Sequence, residues 1–243
     1  MIRRHGLGVA LLAVSTAAAV VVLAGCATSD PLDKVTRKYI HAPTYSVVLE
    51  DMEQSGTFFR SHRQRFNVIQ EGSDGKLASK MTPWIDVNTK AFRRLAPYLG
   101  MTVLAKTAEG VVRTPFPPGY HRVGDSRCGS WVHENENRSW YWNRNCRPYG
   151  RYVGRYHGGS MSTRPILWGD WDSYRTHRRS RRADKPWFGS DGKTFGTKGT
   201  YAKKSNPTYF ERQTRRVQQR KARFDQRSRA RAGRGRGGRR GGK

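Results

Sequence analysis

Acidic residues are scarce in this chain. Asp and Glu together number 18 among 243 residues, against 47 Lys and Arg, and the formal net charge at pH 7 is +29. A charge of this size bears on partners and solubility rather than on the fold. The sequence offers little support for catalysis by paired carboxylates. Glu134 and Glu136 are close in sequence, but they lie in an Asn-rich segment that we expect to be a loop.

Catalytic motifs are absent as well. The chain contains neither Gly-x-Ser-x-Gly nor His-Glu-x-x-His, and Trp187 stands where a phosphate-binding loop ending in Gly192-Lys193-Thr194 needs its first glycine. We therefore predict that the protein is not an enzyme and has no cofactor, no metal site and no small-molecule substrate. The alternative is an enzyme without a recognisable motif in residues 44–170. The histidines that follow the N-terminal segment are scattered, at His41, His62, His121, His133, His157 and His177.

Apolar residues are also few. They make up 35% of the chain, against about 45–50% in globular domains when glycine is counted too. This composition excludes a protein that spans a membrane many times. The chain nevertheless has 7 Trp, 11 Tyr and 9 Phe, which are too many for a wholly disordered protein. We expect a modest aromatic core with long basic extensions.

The N-terminus has the features of an export signal. Arg3 and Arg4 precede an apolar run over residues 9–23, and small residues close it. The ending Leu23-Ala24-Gly25-Cys26 resembles the lipobox of bacterial lipoproteins.

That resemblance implies that residues 1–25 are a lipoprotein signal peptide, removed before Cys26. Cys26 then receives a diacylglyceryl thioether, and its new amine is acylated, with palmitate as an expected chain. Ala27 stands where an Asp suggests inner-membrane retention, so the outer membrane is favoured in an organism that has one. The alternatives are a retained transmembrane anchor and a cleaved signal in which Cys26 is incidental. In each case the remaining chain lies in the cell envelope, outside the cytoplasm.

Only Cys128 and Cys146 remain as further cysteines. Two cysteines in an oxidising compartment usually form one disulfide, for which the chain-entropy model gives about 3 kcal/mol over this loop. A metal site with His121 and His133 is the alternative, but the spacing matches no regular zinc pattern. We therefore predict a structural disulfide.

The sequence predicts an α+β fold, with a small β-rich domain and a short helix. We read residues 26–43 as a polar tether and residues 44–170 as the folded domain. Alternating residues predict two strands around a turn near Gly56, a further strand over Trp84–Val87, and another from Met101 to Ala105. Asp74-Gly75 predicts a second tight turn. A helix over 89–98 is capped by Asn88 and ended by Gly100, and residues 115–170 are expected to form aromatic loops with short strands around the disulfide.

The C-terminal third is strongly basic. We expect a basic linker over 171–205, a basic helix over 206–232 with a thin apolar stripe of Phe210, Val217 and Phe224, and a disordered Gly/Arg tail over 233–243. The residues predicted to bind polyanions are Arg212, Arg215, Arg216, Arg220, Lys221, Arg223, Arg227, Arg234, Arg236, Arg239 and Arg240.

A surface of this kind attracts polyanions by counterion release. The function that we expect is that of a lipid-anchored envelope protein, of structural or interaction type, whose basic C-terminus binds anionic lipids, polysaccharides or other envelope polymers. The alternative partner is nucleic acid, because the Gly/Arg run resembles the RGG segments of RNA-binding proteins. A further alternative is a solubilising tail with no dedicated ligand.

Overall fold

The computed structural model describes residues 30–56, 60–134, 136–156 and 165–236. These residues form two sheets and several helices, so the predicted α+β class is confirmed. The six-stranded sheet consists of β1 (Tyr45–Ser55), β2 (Ser61–Glu71), β3 (Leu77–Met81), β4 (Ile85–Val87), β5 (Thr102–Thr107) and β6 (Gly110–Val112). The four-stranded sheet consists of β7 (Gly129–Glu134), β8 (Asn137–Trp142), β9 (Arg155–Tyr156) and β10 (Ile166–Leu167). The α-helices are α1 (Pro31–Lys38), α2 (Thr89–Leu95), α3 (Arg147–Gly150), α4 (Trp168–Arg179), α5 (Thr200–Ser205) and α6 (Pro207–Arg236).

The long hairpin of β1 and β2 forms the centre of the six-stranded sheet, whose order is β3-β2-β1-β5-β6, with β4 pairing with β2. Val47 lies opposite Val68 and Leu49 opposite Phe66, in antiparallel register. The predicted pair of strands is thus confirmed, and Gly56 at the turn has a φ of +81° that favours glycine. The predicted strand near Trp84 is found as β4. Strand β3 was not predicted, because it is an edge strand whose three central residues are exposed and include none of the large apolar side chains that mark a strand.

The predicted helix after β4 is also confirmed. The Asn88 side chain accepts a hydrogen bond from the Ala91 amide at 2.8 Å, as expected of an N-cap residue. The helix is α-helical to Leu95, continues as a 3-10 turn to Tyr98, and ends before Gly100, whose φ is +75°.

Helices cover one face of the six-stranded sheet. The apolar side chains of this layer come from both ends of the described chain as well as from the strands, and they are buried together. They include Leu32 and Val35 of α1, Leu95 of α2, Tyr209 of α6, and Val47, Leu49, Phe66 and Val68 of the hairpin.

An aromatic layer covers the opposite face. Trp140 and Trp142 of β8 are buried beside Tyr120 and Tyr149, and the Trp142 indole donates to the Val153 carbonyl at 2.7 Å. The disulfide between Cys128 and Cys146 is present, with Cα atoms 4.9 Å apart, so this prediction is confirmed. Both sulfurs belong to the same buried layer, and aromatic rings supply the apolar area that this segment lacks in aliphatic residues.

The tether predicted for residues 26–43 is wrong from Pro31 onward. Asp30 caps α1, since its carboxylate accepts from the Leu32 amide at 3.0 Å, and Leu32 and Val35 are buried against the sheet. The physical reason is that two apolar residues, spaced three apart on a capped helix, are enough to dock it. The polar residues between them hid this pattern.

The linker predicted for residues 171–205 is also wrong. Most of α4 lies there, and Trp187 and Phe195 are buried in the aromatic layer. The Thr197 hydroxyl accepts a hydrogen bond from the Leu99 amide at 3.0 Å, which joins this segment to the chain just before β5 of the six-stranded sheet. The high density of positive charge suggested a linker. The aromatic side chains determine the structure instead, because their burial stabilises the folded state and the arginines remain solvated.

The basic helix is confirmed and is longer than predicted. It continues through Gly233 to Arg236, so the first residues of the expected disordered tail are helical. Arginine and alanine are good helix formers, and the two glycines in this stretch, Gly233 and Gly235, cost only about 1 kcal/mol each. Residues 237–243 lie outside the described residues. Within the described ranges, no helix has the length together with the apolar character that crossing a bilayer requires.

Candidate polyanion-binding groove

The N-terminal turns of α6 are fixed to the body of the protein. Tyr209 is buried, and Phe210 packs against the same apolar layer. Further along, every side chain from 217 to 231 is exposed. At 1.5 Å per residue the helix is about 45 Å long. One end is therefore anchored, and a long basic portion faces solvent.

Arg212 anchors the helix to β1. Its Nη2 lies 2.5 Å from Oδ1 of Asp51, and Arg65 approaches the other carboxylate oxygen at 3.7 Å. Asp51 is only 7% exposed and follows a register shift in β1 after Leu49. Arg212 was predicted to bind polyanions, and the structure places it in a partly buried ion pair.

A groove lies between α6 and the end of the β1–β2 hairpin. We call it the basic groove; its volume is about 940 Å³. One wall is the hairpin end, Met52, Glu53, Gln54, Ser55, Gly56 and Arg60, and the other is the facing side of α6. Of the predicted polyanion-binding residues, the groove brings together Arg212, Arg215, Arg216, Arg220, Lys221, Arg223 and Arg227.

The charge of this groove is almost entirely positive. Glu53 is the single carboxylate among the described residues that line it, and it accepts from Arg63 at 2.6 Å. Arg216 donates from Nη1 to the Gln54 side-chain oxygen at 3.3 Å. The charge of Glu53 also acts on Arg216, but the Glu53 carboxylate is held by Arg63, outside the helix.

Two pKa shifts reflect the positive potential. Burial lowers the pKa of Arg216, and the charges of Arg220 and Arg60 lower it further. Burial also lowers the pKa of His62, and Arg216 and Arg60 again act in the same direction. Positive groups on both walls thus repel one another, which favours the binding of an anion between them.

Several predicted residues are not placed in the groove by the structure. Arg234 and Arg236 belong to the last turns of α6, whereas Arg239, Arg240 and Cys26 lie outside the described residues. Sequence reasoning in turn missed Arg60 and Phe224 as lining residues. Arg60 lies far from α6 in sequence, and only the pairing of β1 with β2 brings the hairpin end to the helix.

A second polar cluster contains a serine and a histidine but lies inside the protein. The Ser46 hydroxyl is 2.7 Å from the Tyr149 hydroxyl and 3.3 Å from Nε2 of His121. Ser46 is 0% exposed, and Nδ1 of His121 has no hydrogen-bond partner among the described residues. A catalytic triad needs a carboxylate at that nitrogen and an accessible hydroxyl, so this geometry is that of a buried structural network.

The ionisation of this cluster follows from its burial. Burial lowers the pKa of His121 to about 3, with a smaller contribution from the charge of Arg122. Burial likewise raises the pKa of Tyr149 to about 12. Both side chains are therefore neutral over the physiological pH range. Among the described residues no three potential metal ligands come together, and the two cysteines of the disulfide are not available as thiolates.

Comparison with known proteins gives no relative of this chain: no protein-family model, no curated protein and no solved structure matches it.

Proposed function

We propose that the protein is a lipid-anchored protein of the cell envelope, of structural or interaction type, whose basic C-terminal helix binds polyanions. The observation that carries the proposal is the basic groove, in which arginines from two distant segments of the chain line one cavity. Among the described residues that line it, the one carboxylate, that of Glu53, is already paired with Arg63. A ligand with several negative charges would supply the missing counter-charge.

The helix itself favours such a ligand. Arg212, Arg216 and Arg220 are spaced four apart, and like charges at this spacing destabilise a helix by about 0.2–0.5 kcal/mol per pair. Asp51 relieves this repulsion at Arg212. Along the exposed part of α6 a bound anion would do the same, and it would gain free energy from the counterions that it releases.

Location in the envelope is supported by two features of the chain. The N-terminal segment with Arg3, Arg4 and Cys26 resembles a lipoprotein signal, and the disulfide between Cys128 and Cys146 is of the kind that persists in oxidising compartments. Several acyl chains on Cys26 would hold the protein stably to a membrane leaflet.

The anchor is tested by metabolic labelling with a fatty-acid analogue. Wild-type protein should be labelled, and the Cys26→Ser variant should not be. Label that survives the substitution would refute the anchor, and it would leave the groove untouched as a separate question.

Polyanion binding is tested by elution from a sulfated polysaccharide column in a salt gradient. The variant Arg215→Gln/Arg220→Gln/Arg227→Gln removes charges from exposed positions of α6. The matched control Arg179→Gln/Arg181→Gln/Arg182→Gln removes the same charge from the exposed end of α4 and the turn that follows it. We expect the α6 variant to elute at clearly lower salt than both the control and the wild type. Equal elution of the two variants would show that only net charge matters and would refute the proposal.

A further inference from the structure

The following inference rests on the proposed function and concerns the chemical class of polyanion that the basic groove binds. We propose that the groove binds a single flexible phosphodiester chain in extended form, with its phosphates held between Arg60 of the hairpin and the row of arginines on α6.

The site is concave. Arg60 lies on one wall and Arg216 and Arg220 on the other, around a volume of about 940 Å³. A chain that enters this space is contacted from both sides. A flat anionic surface such as a bilayer cannot reach both walls at once, so the shape favours a linear ligand over a membrane.

The charges on α6 are regularly spaced. Arg216, Arg220, Arg223 and Arg227 follow one another at intervals of four, three and four residues and share one side of α6. At 1.5 Å per residue, successive arginines are about 4.5–6 Å apart along the axis. A flexible chain can adjust the distance between its phosphates to this repeat. Duplex DNA cannot make this adjustment, since its phosphates are fixed on a rigid double helix.

The cations of the groove are mostly guanidinium groups. The groove is lined by arginines, with Lys221 as the one lysine among its described residues. The guanidinium group is planar and donates two parallel hydrogen bonds to phosphate oxygens, whereas an ammonium group acts as a point charge. Such a site favours a ligand with paired oxygens on each anionic group.

Membrane insertion of α6 is not favoured by its apolar residues. Between 217 and 231 the large apolar side chains are Val217, 61% exposed, and Phe224, 69% exposed. An interfacial helix needs a continuous apolar face with several large residues. Two isolated side chains among arginines do not form one.

Phe224 has another use, because it lines the groove. Proteins that bind single-stranded nucleic acid combine a basic groove with aromatic rings on which bases stack. The ring therefore distinguishes two sources of the same phosphodiester chemistry: nucleic acid, which has bases, and an envelope polymer, which has none.

The test measures binding of the mature full-length chain to an oligothymidylate, to an abasic strand of the same length, to a uronic-acid oligosaccharide of equal charge, and to vesicles of phosphatidylglycerol. The groove variant is Arg60→Gln/Arg216→Gln. The matched control is Arg181→Gln/Arg229→Gln, which removes the same charge outside the groove, with Arg229 on the side of α6 turned away from it.

We expect the groove variant to bind both strands at least about tenfold more weakly than the control, since hydrogen bonds to charged groups are lost. The slope of log K against log salt should fall by about 0.7 for each lost phosphate contact. Tighter binding of oligothymidylate than of the abasic strand, abolished by Phe224→Ala, would identify nucleic acid. Equal binding of the two strands would identify a base-free phosphodiester polymer.

The inference is overturned if the uronic-acid oligosaccharide or the vesicles bind as tightly as the strands, or if the groove and control variants lose the same affinity. In those cases salt-sensitive polyanion binding remains, and the proposed function stands without this ligand. If the wild-type protein binds none of these polyanions, the proposed function itself is refuted.

Discussion

Arg212 and Asp51 join α6 to β1 through an ion pair of 2.5 Å between Nη2 and Oδ1. The same carboxylate oxygen accepts from the Met52 amide at 2.8 Å, so the pair is fixed to the backbone of the hairpin. It lies where the anchored part of α6 meets the basic groove. The arginine that begins the basic row of α6 is therefore a structural residue, and the arginines that we propose as ligand contacts come after it.

We expect Arg212→Gln to destabilise the protein by about 1–3 kcal/mol, because the largely buried Asp51 would keep only the more distant Arg65 as an ionic partner. Urea unfolding at pH 7 measures this loss. The exposed neighbour Arg215 provides the control, and Arg215→Gln should leave the unfolding midpoint unchanged. An unchanged midpoint for Arg212→Gln would show that the pair does not hold the helix.

Removal of the disulfide by Cys128→Ser/Cys146→Ser should cost about 3 kcal/mol, the value that the chain-entropy model gives for a loop of this length. The cysteines are 18 residues apart, and both are buried in the aromatic layer. Unfolding is best followed by tryptophan fluorescence, since Trp140 and Trp142 are buried close by. Wild-type protein unfolded with a reducing agent should match the variant; a variant as stable as the oxidised wild type would contradict the prediction.

His121 should make the protein sensitive to mild acid. Its pKa is lowered by burial to about 3 in the folded state, from 6.5 in the unfolded chain. Between these values only the unfolded state binds the proton, so stability falls as the pH drops below about 6.5, by about 1.4 kcal/mol per pH unit. The measurement is the free energy of unfolding in urea at pH 7, 6 and 5.

The matched substitutions for this test are His121→Gln and His41→Gln, the second at an exposed position. His121→Gln should reduce the pH dependence below 6.5, even if it lowers stability at pH 7, and should leave only the part that the lowered pKa of His62 contributes. His41→Gln should keep the wild-type slope. If His121→Gln retains the full slope, another group is responsible for the acid sensitivity.

Sequence reasoning succeeded where local signals are strong. The turn at Gly56, the Asn88 cap and the pair Cys128–Cys146 each rest on a few neighbouring residues or on a count of two. It failed where long-range burial decides. Two apolar residues in α1 and the rings of Trp187 and Phe195 are inconspicuous among polar and basic neighbours, yet the two sheets bury them.

The groove was predictable only in part. The basic face of α6 follows from its arginines, but nothing in the sequence near Arg60 indicates that it faces Arg216. That relationship arises from the length of the hairpin and from the ion pair that sets the position of the helix. Arg212 was assigned to the ligand for the same reason: its partner, Asp51, is distant along the chain.

The apolar layer under the helices has a practical consequence for recombinant fragments. Leu32 near one end and Tyr209 near the other pack into the same layer on the hairpin. Truncation at either end would expose the same apolar surface of the hairpin to solvent and promote aggregation. A fragment for crystallisation or spectroscopy should begin no later than Asp30 and extend at least to Arg212. These boundaries lie well outside residues 44–170, the folded domain predicted from the sequence.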